Sequence, residues 1–248
     1  MATTHSPRPI ALITGANRGI GLELARTLAR DHNFHVILGS RTLSSGASAV
    51  SQLQSEGLSV EGIPIDLSSD KSIISASQAL SRTHDRLDVL VNNAGIYEAL
   101  SGFPELGDLR EKYHSTFETN VFGSAVVTEA FLPLLEKAPV PRIVFVSSVL
   151  GSISDRLNPE AKFAAWEGYV YCASKAALNM VAATYVKRFG AKGWKINVAC
   201  PGSVSTGLNG YQGAKSTVEA VPNLVRLCLL GEEGWTGTFT DEEGGIGW

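Results

Sequence analysis

Two side chains in this 248-residue chain could together move a proton: Tyr171 and Lys175, in the run Tyr171-Cys172-Ala173-Ser174-Lys175. They are four apart, so on a helix they share one face. An ordinary phenol has a pKa of about 10, too high for easy proton exchange near neutrality. A neighbouring ammonium favours the phenolate and lowers that pKa. A tyrosine tuned in this way can hand a proton to a carbonyl oxygen as a hydride arrives at the carbon. The pair alone decides little, because Tyr and Lys at this spacing are more often a surface pair.

A second signal lies near the amino terminus, where Thr14-Gly15-Ala16-Asn17-Arg18-Gly19-Ile20-Gly21 follows the apolar run Ile10 to Ile13. Glycines between a strand and a helix allow a tight turn and a close backbone approach to a pyrophosphate, which also feels the helix N-terminus. The spacing is GxxxGxG, not the GxGxxG of the common dinucleotide fingerprint; the bland alternative is a loop that needs glycine only to turn. At the end of the second strand an acid would bind the ribose 2′-hydroxyl of NAD, and an arginine the 2′-phosphate of NADP. Ser40 fills the acid slot and Arg41 follows it, while Arg18 adds a second guanidinium. NADPH/NADP+ is therefore expected ahead of NADH, unless both arginines are merely solvated.

The elements that must position these groups alternate. Strands are predicted at residues 9–13, 35–38, 60–65, 87–91, 142–146, 195–199 and 237–240. Helical periodicity predicts helices over 20–30, 47–56, 71–82, about 108–137, 171–189 and 218–229. Apolar strands separated by helices imply a parallel sheet covered on both faces. The fold class is α/β: a single-domain, Rossmann-type, doubly wound sheet of about seven strands flanked by helices, over residues 9–248, with a loose tail over residues 1–8. Strand ends at Thr14-Gly15, Ser40-Arg41, Asp66, Asn92-Asn93, Ser147-Ser148 and Pro201-Gly202 converge on one crevice at the carboxyl edge.

Taken in order, TGANRGIG (Thr14–Gly21), NNAG (Asn92–Gly95), Asn120, Ser147-Ser148, YCASK (Tyr171–Lys175) and PGSVST (Pro201–Thr206) resemble the short-chain dehydrogenase/reductase family from Pro9 to Trp248. Within it, SSVLGSIS, YCASKAALN and the ending Gly237 to Trp248 are most similar to C-factor and sniffer-like carbonyl reductases and to fungal ketoreductases. The resemblance implies that Ser148 polarises the substrate carbonyl and that Tyr171 is the acid/base. Lys175 would hold the nicotinamide ribose and depress the tyrosine pKa, and Asn120 would position a water in a proton relay ending at Lys175. The cofactor set would be Gly15, Asn17, Arg18, Gly19, Ile20, Gly21, Ser40, Arg41, Asp66 and Leu67 toward adenosine and pyrophosphate. Asn93, Ala94 and Gly95 would flank the ribose, and Tyr171, Lys175, Pro201, Gly202, Val204 and Thr206 would sit by the nicotinamide. Taken singly, Asn120, Asp66 and Thr206 also suit capping or turns.

Two points depart from the family or stay open. Ser148 and Tyr171 are separated by a longer stretch than the family usually has, so residues 152–167 read as an insertion with Pro159, Phe163 and Trp166. It is either a wall beside the substrate or a longer surface loop. Ser147 could replace Ser148, which is preferred because it directly precedes Val149-Leu150-Gly151. The polar, glycine-rich stretch 203–216 suits a substrate loop, in which Leu208 and Tyr211 could touch substrate.

Composition narrows the partners. A formal charge of −3, with 44% hydrophobic and 18% charged residues, describes a globular protein and offers no electrostatic reason to bind nucleic acid or an anionic membrane. Cys172, Cys200 and Cys228 form no CxxC pair, and five histidines lack ligand spacing, so neither disulfide nor metal is expected. With no secretory h-region and no membrane-length apolar run, the setting is read as cytoplasmic. The resemblance also allows a homodimer or homotetramer through the helices containing Asn120 and Tyr171. The resulting expectation is NADPH-dependent reduction of a small-molecule ketone or aldehyde. The alternatives are an NAD-dependent alcohol dehydrogenase working oxidatively, and an NADP-sensing binding protein without turnover.

Overall fold

In the computed structural model, residues 8–98 and 106–248 are described. The expected tail lies outside them except for Arg8, whose backbone carbonyl accepts a hydrogen bond from Arg86. The strands form because short aliphatic runs can bury both of their faces. Ala11 to Ile13, Val36 to Leu38, Val89 to Val91 and Ile143 to Val146 are almost wholly buried, and a strand apolar on both sides needs helices above and below it. The elements run β1 Ile10–Ile13, α1 Gly19–Asp31, β2 His35–Ser40, α2 Leu43–Ser55, β3 Val60–Pro64, α3 Asp70–Thr83, β4 Val89–Asn92 and α4 Leu106–Phe117. There follow α5 Ser124–Leu135, β5 Arg142–Val146, α6 Ile153–Leu157, α7 Tyr169–Phe189, β6 Lys195–Ala199, α8 Thr217–Ala220, α9 Pro222–Cys228 and β7 Phe239–Thr240.

All seven strands are parallel, in the order β3-β2-β1-β4-β5-β6-β7. The fold is thus the Rossmann-type sheet expected. The chain winds outward from β1 to β3, then returns to β4 on the other side of β1. That reversal opens a crevice at the carboxyl ends of β1 and β4. Alternate residues feed two cores: Leu12, Ile37 and Phe145 pack with Phe131 of α5 and Tyr185 of α7, while Ile13, Leu38 and Val91 pack with Leu24 of α1 and Leu224 of α9. Each such side chain, fully buried, stabilises the fold by roughly 1.5–3 kcal/mol. The rings of Phe145, Tyr185, Phe189 and Trp194 stack in series and pin α7 to the sheet.

Several element boundaries differ from the sequence reading, each for a local reason. The second helix starts at Leu43, four residues early, because Thr42 and Ser45 form a reciprocal capping box. The helix expected over 218–229 is split, since Pro222 has no N–H to donate and takes the first position of α9. The long helix expected over 108–137 is interrupted by a wide π-type turn, Glu118–Gly123. Such turns recur at functional sites, and this one holds Asn120.

Three residues with no ligand spacing in the sequence meet at the opposite, amino-terminal edge of the sheet. His84 Nε2 lies 2.7 Å from Glu61 Oε1, and His35 Nε2 lies 3.7 Å from it. The His35 and His84 imidazoles beside it hold the Glu61 carboxyl down at about 2. The cluster ties edge strand β3 to β2 and to the end of α3.

Within the π-type turn, a Cβ at Gly123 would stand 2.5 Å from the Leu67 carbonyl oxygen. Gly123→Ala is therefore expected to destabilise the protein by about 1–3 kcal/mol, measured by urea unfolding. An unchanged midpoint and slope would show that this turn does not press on the β3–α3 loop.

Candidate active site

The crevice begins with the packing of two loops. Thr14 Oγ1, at the end of β1, accepts the backbone N–H groups of Asn93 and Ala94, both at 3.0 Å. Asn93 Nδ2 returns a bond to the Thr14 carbonyl at 2.7 Å. Glycine is required where the loops touch: Gly15 has φ +64°, and a Cβ there would lie 2.9 Å from Ala94 Cα. At Gly21 a Cβ would lie 2.5 Å from Asn93 Nδ2. α1 then starts with no side-chain cap and no acid in its first turn, so its amino end is a place for an anion.

A cavity of about 1040 Å³ runs from this loop along the carboxyl edge of the sheet. Its volume lies at the upper end of the roughly 300–1,000 Å³ typical of ligand pockets, and it reaches from the glycine loop to Tyr171. Of the residues singled out by sequence, Gly15, Asn17 to Gly21, Arg41, Asp66, Leu67, Asn93 to Gly95, Ser148, Tyr171, Lys175, Pro201, Gly202, Val204, Thr206, Leu208 and Tyr211 line it. Ser40 and Asn120 do not. The Ser40 side chain is buried under Gly46 and donates to the Thr42 carbonyl at 2.8 Å. The end of β2 therefore presents Arg41, with no acid beside it. Neither Arg41 nor Arg18 forms an ion pair among the described residues. Asp66 accepts from the backbone N–H and hydroxyl of Ser68, which fixes its carboxylate at the rim.

Asn120 sits one layer behind the wall, wholly buried. Its Oδ1 accepts from the Ile96 N–H at 2.8 Å, and its Nδ2 donates to the Ile96 carbonyl and to Ser174 Oγ. A Cβ on Gly95 would stand 3.3 Å from Asn120 Oδ1 and 3.6 Å from Lys175 Nζ. The two polar groups thus converge on the space below Gly95.

Tyr171 and Lys175 share one face of α7, as their spacing required. Lys175 Nζ donates to the Val146 carbonyl at 2.9 Å and lies 5.6 Å from the centre of the Tyr171 ring. Gly151 allows this closeness, since a Cβ there would approach the Lys175 Cβ to 2.7 Å. Burial dominates both titrations: it pushes the Tyr171 phenol well above its ordinary value and Lys175 down to about 8. The sequence argument expected a neighbouring ammonium together with a bound nicotinamide to lower the phenol; in the protein by itself desolvation sets the direction. Ser148 is partly exposed, whereas Ser147 is 3% exposed and its hydroxyl points to the Lys175 carbonyl.

The insertion is folded. Ser152 caps α6, and Arg156 Nη1 donates to the carbonyls of Ala164 and Trp166. Phe163 and Trp166 line the cavity, as do Tyr97, Leu150 and Cys200, which sequence reasoning passed over. Tyr97, two residues beyond Asn93-Ala94-Gly95, is the one a longer reading of that motif could have found. In the stretch 203–216, Ser205 N–H donates to the Lys215 carbonyl and Lys215 N–H to that of Ser203, closing the loop at its base.

The short chain dehydrogenase family model matches residues 9–217. The chain belongs to this family. It is 38% identical over 229 residues to short-chain dehydrogenase anuI of Penicillium roqueforti, covering 90% of each protein. Carbonyl reductase (NADPH) 1 of Rattus norvegicus is 30% identical over 276 residues, covering 96% of this chain and 98% of the rat protein. The solved NADPH-bound carbonyl reductase from chicken fatty liver aligns with a TM-score of 0.83 at 27% identity, covering 97% of this chain and 100% of that one. As a short-chain dehydrogenase the chain is an oxidoreductase, and its fungal and carbonyl-reductase relatives are those the sequence motifs suggested. None of its described helices is long and apolar enough to cross a membrane.

The buried ammonium of this short-chain dehydrogenase carries a pH signature. Unfolded, Lys175 would titrate near 10.5, whereas folded it titrates at about 8. Between these values the unfolded chain binds more protons, so folding stability rises with pH. Wild type is therefore expected to gain stability relative to Lys175→Met as pH goes from 8 toward 10.5, read by urea midpoints. Parallel pH profiles for the two proteins would refute a buried, depressed lysine.

Proposed function

We propose that this oxidoreductase uses NADPH to reduce a ketone or aldehyde to the alcohol. The observation that carries the reading is the Tyr171–Lys175 pair at the cavity wall, its lysine buried, with partly exposed Ser148 lining the same cavity. The names of the carbonyl reductase relatives, which specify NADPH, support it. When bound, NADPH supplies the hydride that reaches the carbonyl carbon.

The residues fit that cofactor. Gly15 and Gly21 leave the loop backbone bare where a Cβ would collide, and the uncapped start of α1 suits a pyrophosphate. Arg18 and Arg41 offer two guanidinium groups for the 2′-phosphate. Asp66 and Leu67 would face adenine, Asn93 to Gly95 the ribose, and Pro201, Gly202, Val204 and Thr206 the nicotinamide end. Ser148 hydrogen-bonds the substrate carbonyl and polarises it. Tyr171, kept protonated by burial, donates the proton to the carbonyl oxygen, a direction that suits reduction. Lys175 binds the nicotinamide ribose and replenishes that proton. Asn120 acts from behind the wall, holding Ile96 and sharing with Lys175 the space where a relay water would sit. Three free, buried cysteines suit a reducing compartment, and we place the enzyme in the cytoplasm.

Purified protein should consume NADPH when given a carbonyl substrate. Tyr171→Phe should lower kcat by roughly 100-fold or more in a variant that still binds NADPH; full activity in that variant would sink the mechanism. NADPH binding without turnover across a broad carbonyl panel would instead mark a cofactor-sensing protein. Arg41→Asp should shift preference toward NADH by about tenfold or more, and an unaltered preference would contradict the arginine assignment.

A further inference from the structure

At the catalytic end, the cavity wall is made of rings. Tyr97 meets the Tyr171 ring edge-to-face, with centroids 5.6 Å apart at 82°, and Trp166 does so at 6.1 Å and 73°. Tyr97 and Trp166 also touch each other, at 5.5 Å and 37°. Phe163 lines the same stretch. Tyr97, Phe163 and Trp166 are all partly exposed, so apolar ring surface faces the cavity. We infer that Tyr97, Phe163 and Trp166 form a ring-binding subsite, which selects uncharged aromatic ketones and aldehydes by packing the substrate's ring beside Tyr171. This inference rests on the carbonyl-reductase reading and adds the substrate class.

Charge supports the same occupant. Among the described residues, the charged side chains lining the cavity are Arg18, Arg41, Asp66 and Lys175. Arg41 and Asp66 follow β2 and β3, at the end that suits adenosine, and the Arg18 guanidinium lies against Gly207, where a Cβ would stand 3.4 Å from its Nη1. Lys175 is buried, with its ammonium on the Val146 carbonyl. The Lys162 ammonium lies over the Phe163 ring at 5.7 Å but does not line the cavity. A cationic substrate would find no carboxylate among the described residues lining this end of the cavity and would lose its hydration. A flat apolar one would cover exposed ring surface and gain stacking or edge contacts.

The wall is also built to stay in place. Arg156 Nη1 donates to the Trp166 carbonyl at 2.7 Å, and the Trp166 N–H donates to the Phe163 carbonyl at 3.0 Å. Gly168 lies directly against the indole: a Cβ there would stand 2.0 Å from its edge. The φ of Gly168 is −71°, which any residue adopts. Glycine is needed here for the indole, not for the backbone. The insertion thus delivers a fixed aromatic wall, with less ordering cost on binding than a mobile loop would carry.

The competing role for these rings is to brace the Tyr171 phenol alone, and steady-state kinetics separates the two. The probes are a phenyl methyl diketone and diacetyl, which share the reacting dione and differ in the ring. Wild type is expected to show a KM for the phenyl diketone at least about tenfold lower than for diacetyl. In Trp166→Ala, the kcat/KM ratio of the phenyl diketone to diacetyl should fall about tenfold or more, carried by a rise in the phenyl diketone KM. Gly168→Ala, which displaces the indole without removing it, should raise the phenyl diketone KM in the same direction. An equal fall in kcat on both diketones in Trp166→Ala would reduce the rings to a brace and overturn the subsite. A wild-type preference for diacetyl would overturn it too. Wild type that binds NADPH but turns over neither diketone would refute the carbonyl-reductase reading for these probes, and the subsite with it.

Discussion

A lysine ammonium out of water is costly, and the catalytic half of this protein is arranged around one. Lys175 is 4% exposed and holds the Val146 carbonyl at 2.9 Å. To reach that carbonyl, α7 must lie close against the end of β5, which the absence of a side chain at Gly151 permits. The aromatic stack from Phe145 to Trp194 locks the helix at that height. Tyr171, one turn earlier, is thereby fixed at the cavity wall, and Asn120 is drawn to the same space by the wide turn between α4 and α5. The burial that depresses the lysine also raises the phenol.

The other half of the site depends on backbone proximity. Thr14, Gly15, Gly21 and Asn93 interlock the loops after β1 and β4 at the point where the sheet reverses direction. That reversal places an anion-receptive helix start and Arg41 on one side, and the Tyr171–Lys175 pair on the other. One cavity spans both. The two ends of the cavity therefore differ in chemistry: charge and bare backbone at the first, aromatic surface at the second.

What the residues announced in advance was whatever depends on local spacing. Gly15 and Gly21 could be read because a strand–helix turn at a close contact has few alternatives to glycine, and Tyr171 with Lys175 because helical period alone puts them on one face. The strand cores at residues 142–146 and 195–199 were bounded correctly because both faces are buried and the apolar run stops where burial stops. The π-type turn was not legible, since one widened turn leaves the apolar periodicity of residues 108–137 nearly intact. Asn120 was therefore found only through family resemblance, and its place behind the wall not at all. The burial of the Tyr171 phenol was not legible either, because desolvation depends on the whole surrounding fold, which spacing does not report. Tyr97 and Trp166 meet across long sequence separation, as do His35, Glu61 and His84, and no local pattern joins them.

The central claim is that hydride passes from the cofactor to a carbonyl carbon in this cavity. It is tested most directly by supplying NADPH bearing deuterium at both positions of the reactive nicotinamide carbon, together with an aryl ketone, and recovering the product alcohol for mass spectrometry. One deuterium on the carbinol carbon, absent when Tyr171→Phe replaces the wild type, is the predicted result. Alcohol formed without deuterium, or label transfer undiminished in the variant, would contradict it.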